Sequence, residues 1–102
     1  MDVIEAIRIR RSVRKYRPDK IAGEVLDRLL ESLRLAPSAC NFQPWRFIVV
    51  TDEQTRLALA QASHNQMFIA EAPVVVAGCG FPANAYQRMG GAGNSADIDV
   101  AI

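Results

Sequence analysis

Ala36-Pro37-Ser38-Ala39-Cys40-Asn41-Phe42-Gln43-Pro44-Trp45-Arg46-Phe47-Ile48-Val49-Val50-Thr51 is the stretch on which the fold reading turns. It holds a short polar loop with a proline near each end, and then an apolar run. Pro37 disfavours helix in the residue before it, so the chain must leave a helix there. Arg46 to Thr51, with Phe47-Ile48-Val49-Val50 at its centre, has the β-branched and aromatic content of a buried strand. On the N-terminal side, Val25, Leu26, Leu29, Leu30 and Leu33 form an apolar stripe over 22–36, while Asp27, Arg28, Glu31 and Arg34 stay polar. This predicts a helix ended by Pro37. On the C-terminal side, Asp52 starts a helix to about Ser63. Phe68 to Glu71 makes a short helical turn, and Ala72 to Gly80 reads as a second buried strand centred on Val74-Val75-Val76.

The ends complete the pattern. Val3, Ile4 and Ile7 predict a helix over 2–10 capped by Asp2. Residues 11–20 form a basic loop broken by Pro18, and residues 81–95 form a loop with Gly90, Gly91 and Gly93. Ser95 is placed as an N-cap, with Asp97 and Asp99 in the first turns, where the helix dipole favours acids. Ile98, Val100 and Ile102 begin an apolar stripe that stops about two turns in. Two buried strands alone cannot cover both apolar faces and satisfy their edges. The expectation is a chain that is truncated at Ile102 or takes surface from a second chain.

Composition bounds the function. The chain has 102 residues, 50% of them hydrophobic and 23% charged, and a net charge of +1. That is one small globular domain with no global drive toward nucleic acid or an acidic membrane. No apolar run approaches the length of a bilayer span, and Met1-Asp2-Val3-Ile4-Glu5 lacks the basic start of a signal peptide. A cytoplasmic protein is expected. Cys40 and Cys79 are too few for a disulfide scaffold, and with the single His64 they do not form a zinc set. Charge is uneven. Residues 1–20 carry seven bases against three acids, whereas 46–102 carry three against five, so an anion is expected at the N-terminal end.

Three motifs carry possible chemistry. In Arg10-Arg11-Ser12-Val13-Arg14, guanidinium forks and a hydroxyl suit phosphate oxygens, and an extended backbone points Arg10, Ser12 and Arg14 the same way. A solvated basic turn or a nucleic-acid arm would use the same residues. In the Pro37–Pro44 loop, Ser38, Asn41 and Gln43 can read the edge of a planar heterocycle, since amides donate and accept. A plain turn beside a core Trp45 is the alternative. Ala72-Pro73-Val74-Val75-Val76 is a strand, and Asn65 and Gln66 before it are surface amides or polar contacts. Gly90-Gly91-Ala92-Gly93 does not directly follow a strand and has the wrong spacing for a dinucleotide fingerprint. No catalytic side chain and no metal site emerge.

In this order and spacing, the three stretches resemble the FMN-dependent nitroreductase family, and Ile98-Asp99-Val100-Ala101-Ile102 resembles the start of its long central helix. The resemblance implies an α+β fold: a nitroreductase-like α/β sandwich with an antiparallel sheet flanked by helices, built as an intertwined homodimer. Residues 1–102 would be the N-terminal part of a single such domain. It implies FMN as cofactor. Arg10, Ser12 and Arg14 would lie on its phosphate and Arg11 at the ribityl–phosphate end. Pro37, Ser38 and Asn41 would lie along the isoalloxazine or the substrate pocket, Gln43 at the flavin's polar edge, and Asn65 as a flavin-contacting amide. Trp45 and Phe47 read as structural. The implied activity is ping-pong hydride transfer from NAD(P)H through FMN to nitroaromatics, quinones or similar electron-poor acceptors, with no side-chain acid or base. The alternatives are a non-catalytic flavin- or partner-binding remnant, or a relative using FMN for dehalogenation or flavin breakdown.

Overall fold

The computed structural model describes residues 1–102, the side chain of Ala92 excepted. In chain order it contains α1 (Val3–Ile9), α2 (Gly23–Arg34), β1 (Trp45–Val50), α3 (Glu53–Ala62), α4 (Phe68–Glu71), β2 (Val75–Gly80) and α5 (Ala96–Ala101), with short 3-10 turns at Ala39–Asn41, Pro82–Asn84 and Gly90–Ala92. The mix of helices with an antiparallel strand pair is the α+β class expected.

The helix starts follow their caps. Asp2 accepts the Glu5 N–H at 2.7 Å, and Asp52 accepts the Thr55 N–H at 2.8 Å and its hydroxyl at 2.6 Å. These bonds satisfy backbone donors that a first turn leaves without partners. The Thr55 bonds, the side-chain one foremost, hold the Asp52 carboxyl below its usual range. Helix α2 is stapled at its end by the Glu31–Arg34 pair, two short bonds of 2.8 and 2.6 Å. α2 stops at Arg34, two residues before the expected end. Ala36 precedes Pro37, where a helical conformation is disfavoured, and lies outside the helix.

Strands β1 and β2 pair antiparallel, with Trp45 opposite Gly80 and Val50 opposite Val75. The second strand starts three residues later than the apolar run suggested. Pro73 has no N–H to give a ladder. Just before it, the carbonyls of Ala70 and Ala72 are taken by the Arg56 guanidinium. Arg56 also reaches the Thr51 carbonyl at 3.3 Å, so one side chain on α3 ties together the ends of both strands.

Helix α5 lies against the sheet over two glycines. A Cβ on Gly78 would sit 3.1 Å from Val100 Cγ1 and 3.4 Å from the Phe47 ring, and one on Gly80 would sit 3.3 Å from Val100 Cγ2. A side chain at either position would press on Val100, so glycine suits that approach. The apolar core is small: Val50, Ala60, Ala72, Ala85 and Ala96, with Pro44 fully enclosed beside them.

The strands were expected to be buried, but apart from Val50 their residues are half-buried or exposed in the patterns of one partly covered face. Ile48 is 54% exposed, and Val49 and Val76 are also open to solvent. No residue of α1 is buried, and Val3 is 74% and Ile7 68% exposed. The accessible surface is 8040 Å², against about 5,700 Å² for a compact monomer of this mass. The radius of gyration is 15.7 Å, against about 13 Å for a compact chain of this length. The elements form as their local signals dictate, but two strands and short helices cannot close over one another's apolar faces.

Candidate functional site

The N-terminal basic segment leaves α1 at Arg10, whose backbone turns extended (φ −58°, ψ 130°) and ends the helix. Residues 10–22 then run without regular structure. Arg10, Arg11, Ser12 and Arg14 are all exposed. Among the described residues, ion pairs form between Arg17 and Asp19 and between Arg34 and Glu31, but no carboxylate reaches Arg10, Arg11 or Arg14. Guanidiniums close in sequence and without carboxylate partners are a donor set suited to a phosphate group. Tyr16 anchors the far end of the segment. Its hydroxyl donates to the Val13 carbonyl at 2.9 Å, and its ring stacks on Phe68 with centroids 6.3 Å apart.

The second predicted element, the Pro37–Pro44 loop, is built tightly. Ser38 is extended, and its carbonyl accepts the Asn41 N–H at 2.9 Å. Its hydroxyl oxygen accepts the Gln43 N–H, also at 2.9 Å. Cys40, Asn41 and Gln43 have φ of 52°, 54° and 51°. Asparagine tolerates this left-handed region, whereas cysteine and glutamine enter it at a cost. Such backbone persists only where surrounding structure over-determines it, and it gathers at functional sites. Pro44 is buried at the loop's end, and its carbonyl accepts the Phe81 N–H at 2.7 Å, which fixes the loop to the end of the sheet. Cys40, Asn41, Phe42 and Gln43 face outward, exposed.

Asn41 and Gln43 are exposed side chains on this loop, whereas the Ser38 hydroxyl oxygen is engaged in holding it. Asn65 lies apart, exposed, at the end of α3. It sits in the left-handed region at φ 57°, with its N–H on the Gln61 carbonyl at 3.2 Å, and that turn by itself favours asparagine. Among the described residues, no hydrogen bond joins Arg10–Arg14, the Pro37–Gln43 loop and Asn65 to one another.

One participant went unread in the sequence. Asp99, expected to serve the helix dipole of α5, is buried and accepts the Ala39 N–H at 3.0 Å. Ser95, expected as a side-chain cap, instead donates its hydroxyl to Asp99 at 2.6 Å, and the capping bond to Ala96 N–H comes from Asn94 at 3.0 Å. The only signal was a second acid two residues after the first, which charge pattern alone does not separate from a surface pair.

An apolar cavity of about 500 Å³ lies between the Tyr16–Ile21 segment and β2, lined by Leu59, Ile69 and Val74–Ala77. None of the predicted site residues lines it. Among the described residues no cluster of His, Cys, Asp or Glu could hold a metal ion, and no helix is long and apolar enough to cross a membrane.

The comparisons bear on the whole arrangement. The chain is 45% identical over 76 residues to NADH dehydrogenase of Thermus thermophilus, a match covering 74% of this chain and 37% of that protein. Its structure superimposes with a TM-score of 0.79 on a nitroreductase family protein from Clostridium difficile 630, 30% identical, covering 99% of this chain and 56% of the other. An FMN-dependent nitroreductase from Clostridium difficile R20291 aligns with a TM-score of 0.68 at 33% identity, over 74% of this chain and 45% of the other. The chain spans less than half the length of the curated relatives it matches. The family model for the nitroreductases matches residues 7–97, a span that takes in the basic segment, the left-handed loop, both strands and the entry to α5; the chain belongs to the nitroreductase family.

Proposed function

We propose that residues 1–102 are the N-terminal part of one nitroreductase-like domain, acting as an FMN-dependent oxidoreductase in an intertwined homodimer. The observation that carries this is the family match over 7–97, within which both exposed donor sets fall in order. The residues present fit FMN chemically. Arg10, Arg11 and Arg14, without carboxylate partners, and the Ser12 hydroxyl would hold the phosphate end. Pro37, Ser38, Asn41 and Gln43, with Asn65, would meet the ring system. When bound, FMN supplies hydride chemistry, taking hydride from NAD(P)H and giving it, in a ping-pong cycle, to nitroaromatics, quinones or similar acceptors.

The chain's own residues bind and orient. The guanidiniums neutralise the phosphate and set the cofactor's register. The rigid loop presents Asn41 and Gln43 with little ordering left to do, which lowers the entropy lost on binding. No side chain need move a proton, so the exposed Cys40 has no assigned role in the chemistry. The surface excess of about 2,300 Å² over a compact chain is area that the rest of such a domain and a partner copy would cover together. Two free thiols suit a cytoplasmic setting.

The test is a visible absorbance spectrum of the purified chain, incubated with FMN and desalted. Retained flavin absorbance, bleached by NADH or NADPH, is expected. A colourless protein at high protein concentration would overturn the reading for this chain. Retained colour that neither nicotinamide bleaches would instead identify a flavin-binding remnant without turnover.

A further inference from the structure

Among the described residues Asp99 is the one ionisable side chain that is buried, at 3% exposed, and no cation pairs with it. A carboxylate in that position is costly unless its oxygens are hydrogen-bonded. Here they are. Oδ1 accepts the Ala39 N–H at 3.0 Å, and Oδ2 accepts the Ser95 hydroxyl at 2.6 Å. Ser95 is itself 2% exposed and held on both sides. Its oxygen accepts the Tyr86 N–H at 3.1 Å, and its own N–H donates to the Tyr86 carbonyl at 2.9 Å.

Ala39 lies 60 residues from Asp99 in sequence, and it opens the turn in which Cys40, Asn41 and Gln43 take left-handed backbone. The bond from Gln43 N–H to Ser38 Oγ closes that loop on itself, and the Phe81 N–H on the Pro44 carbonyl ties its far end to the sheet. The Asp99 bond is what joins the loop to α5, which in turn rests on Gly78 and Gly80 of the sheet. We infer that Asp99 is a positioning residue for the flavin site. Its carboxylate, oriented by Ser95, fixes Ala39 and so holds the loop in the conformation that presents Asn41 and Gln43. This rests on the reading of that loop as flavin-facing.

Asp99→Ala, Asp99→Asn and Ser95→Ala test it in the full chain, by amide hydrogen exchange and by FMN and riboflavin titration. Asp99→Ala speeds exchange at Ala39, Asn41 and Gln43 by about 10- to 100-fold, as expected for losing a charge-assisted bond, and leaves the β1–β2 ladder amides unchanged. Affinity for FMN and riboflavin falls alike, by about tenfold, because the loop meets the ring and not the phosphate. Asp99→Asn keeps an acceptor for Ala39 N–H and restores both readouts. Should Asp99→Ala not fold, Ser95→Ala carries the test, since it removes the hydroxyl that orients the carboxylate and is expected to speed exchange at Ala39 by a smaller factor. Unchanged exchange at Ala39, equal acceleration in the sheet, or a loosened loop with undiminished flavin affinity would each overturn the inference. A wild-type chain that binds neither flavin overturns the functional reading itself, and the role of Asp99 in the flavin site with it. Wild-type binding with an indifferent Asp99→Ala variant removes the Asp99 role alone.

Discussion

Gly78→Ala is the substitution whose cost the structure specifies most directly. The added methyl would lie 3.1 Å from Val100 Cγ1 and 3.4 Å from the Phe47 ring, where carbon atoms prefer about 3.5–4.0 Å. Something must move by about 0.4 Å or more. Val100 is β-branched, with little rotamer freedom on a helix. Its helix is held by the Asp99–Ala39 and Ser95–Tyr86 bonds, so it cannot slide freely. Overpacking of this kind costs about 1–3 kcal/mol. Replacing glycine also removes freedom from the unfolded chain and returns about 0.4–1 kcal/mol. The net is a loss of about 1 kcal/mol, about a fivefold fall in the folded-to-unfolded ratio. Urea unfolding followed by circular dichroism reads it as a lower midpoint at unchanged slope. Val100→Ala in the same chain opens the space, so the double variant should lose less than the sum of the two single losses. Gly23→Ala, where a Cβ meets nothing within 4 Å, should raise the midpoint. A Gly78→Ala variant as stable as wild type, or strict additivity with Val100→Ala, would refute the close packing of α5 on the sheet.

Three further outcomes follow from single groups. Arg14→Ala should weaken FMN binding about tenfold or more, as for one charge-assisted phosphate contact, while riboflavin affinity stays the same; parallel titrations check this, and an equal loss for both ligands would show that the segment does not read phosphate. Arg56→Lys should lower stability by about 2 kcal/mol in urea unfolding, because an ammonium cannot serve the Thr51, Ala70 and Ala72 carbonyls that the half-buried guanidinium joins; an unchanged midpoint would remove its strapping role. Asp52 has its folded pKa lowered below the ordinary 3.8, mainly by the Thr55 hydroxyl, so its contribution is complete above 3.8 and is lost as pH falls through the folded value. Thermal melts between pH 7 and pH 2 should therefore show Asp52→Asn less stable at neutral pH and converging with wild type in acid, and a constant gap would contradict the cap.

Most local structure is legible in the sequence because its causes are local. Asp2 and Asp52 start helices through bonds three residues away, Leu26, Leu30 and Leu33 mark the less exposed side of α2, and Pro37 and Pro73 stop regular structure at their own positions. The basic segment and the amide loop, too, stand out by residue type and spacing. What tertiary structure alone decided has long-range causes. The later start of β2 owes one part to Pro73, which the sequence shows, and another to Arg56, claiming carbonyls 14 and 16 residues on, which it does not. That two strands alone leave apolar faces uncovered is legible in the sequence, but which residues of β1 and β2 stay open, Ile48, Val49 and Val76 among them, is decided only by the packing. Gly78 and Gly80 read as ordinary strand glycines until α5 is seen lying on them. Asp99 reads as a helix-dipole acid until the fold brings Ala39 to it across 60 residues. A side chain's partner is a matter of three-dimensional proximity, and that is settled only when separate segments, each locally determined, are packed together.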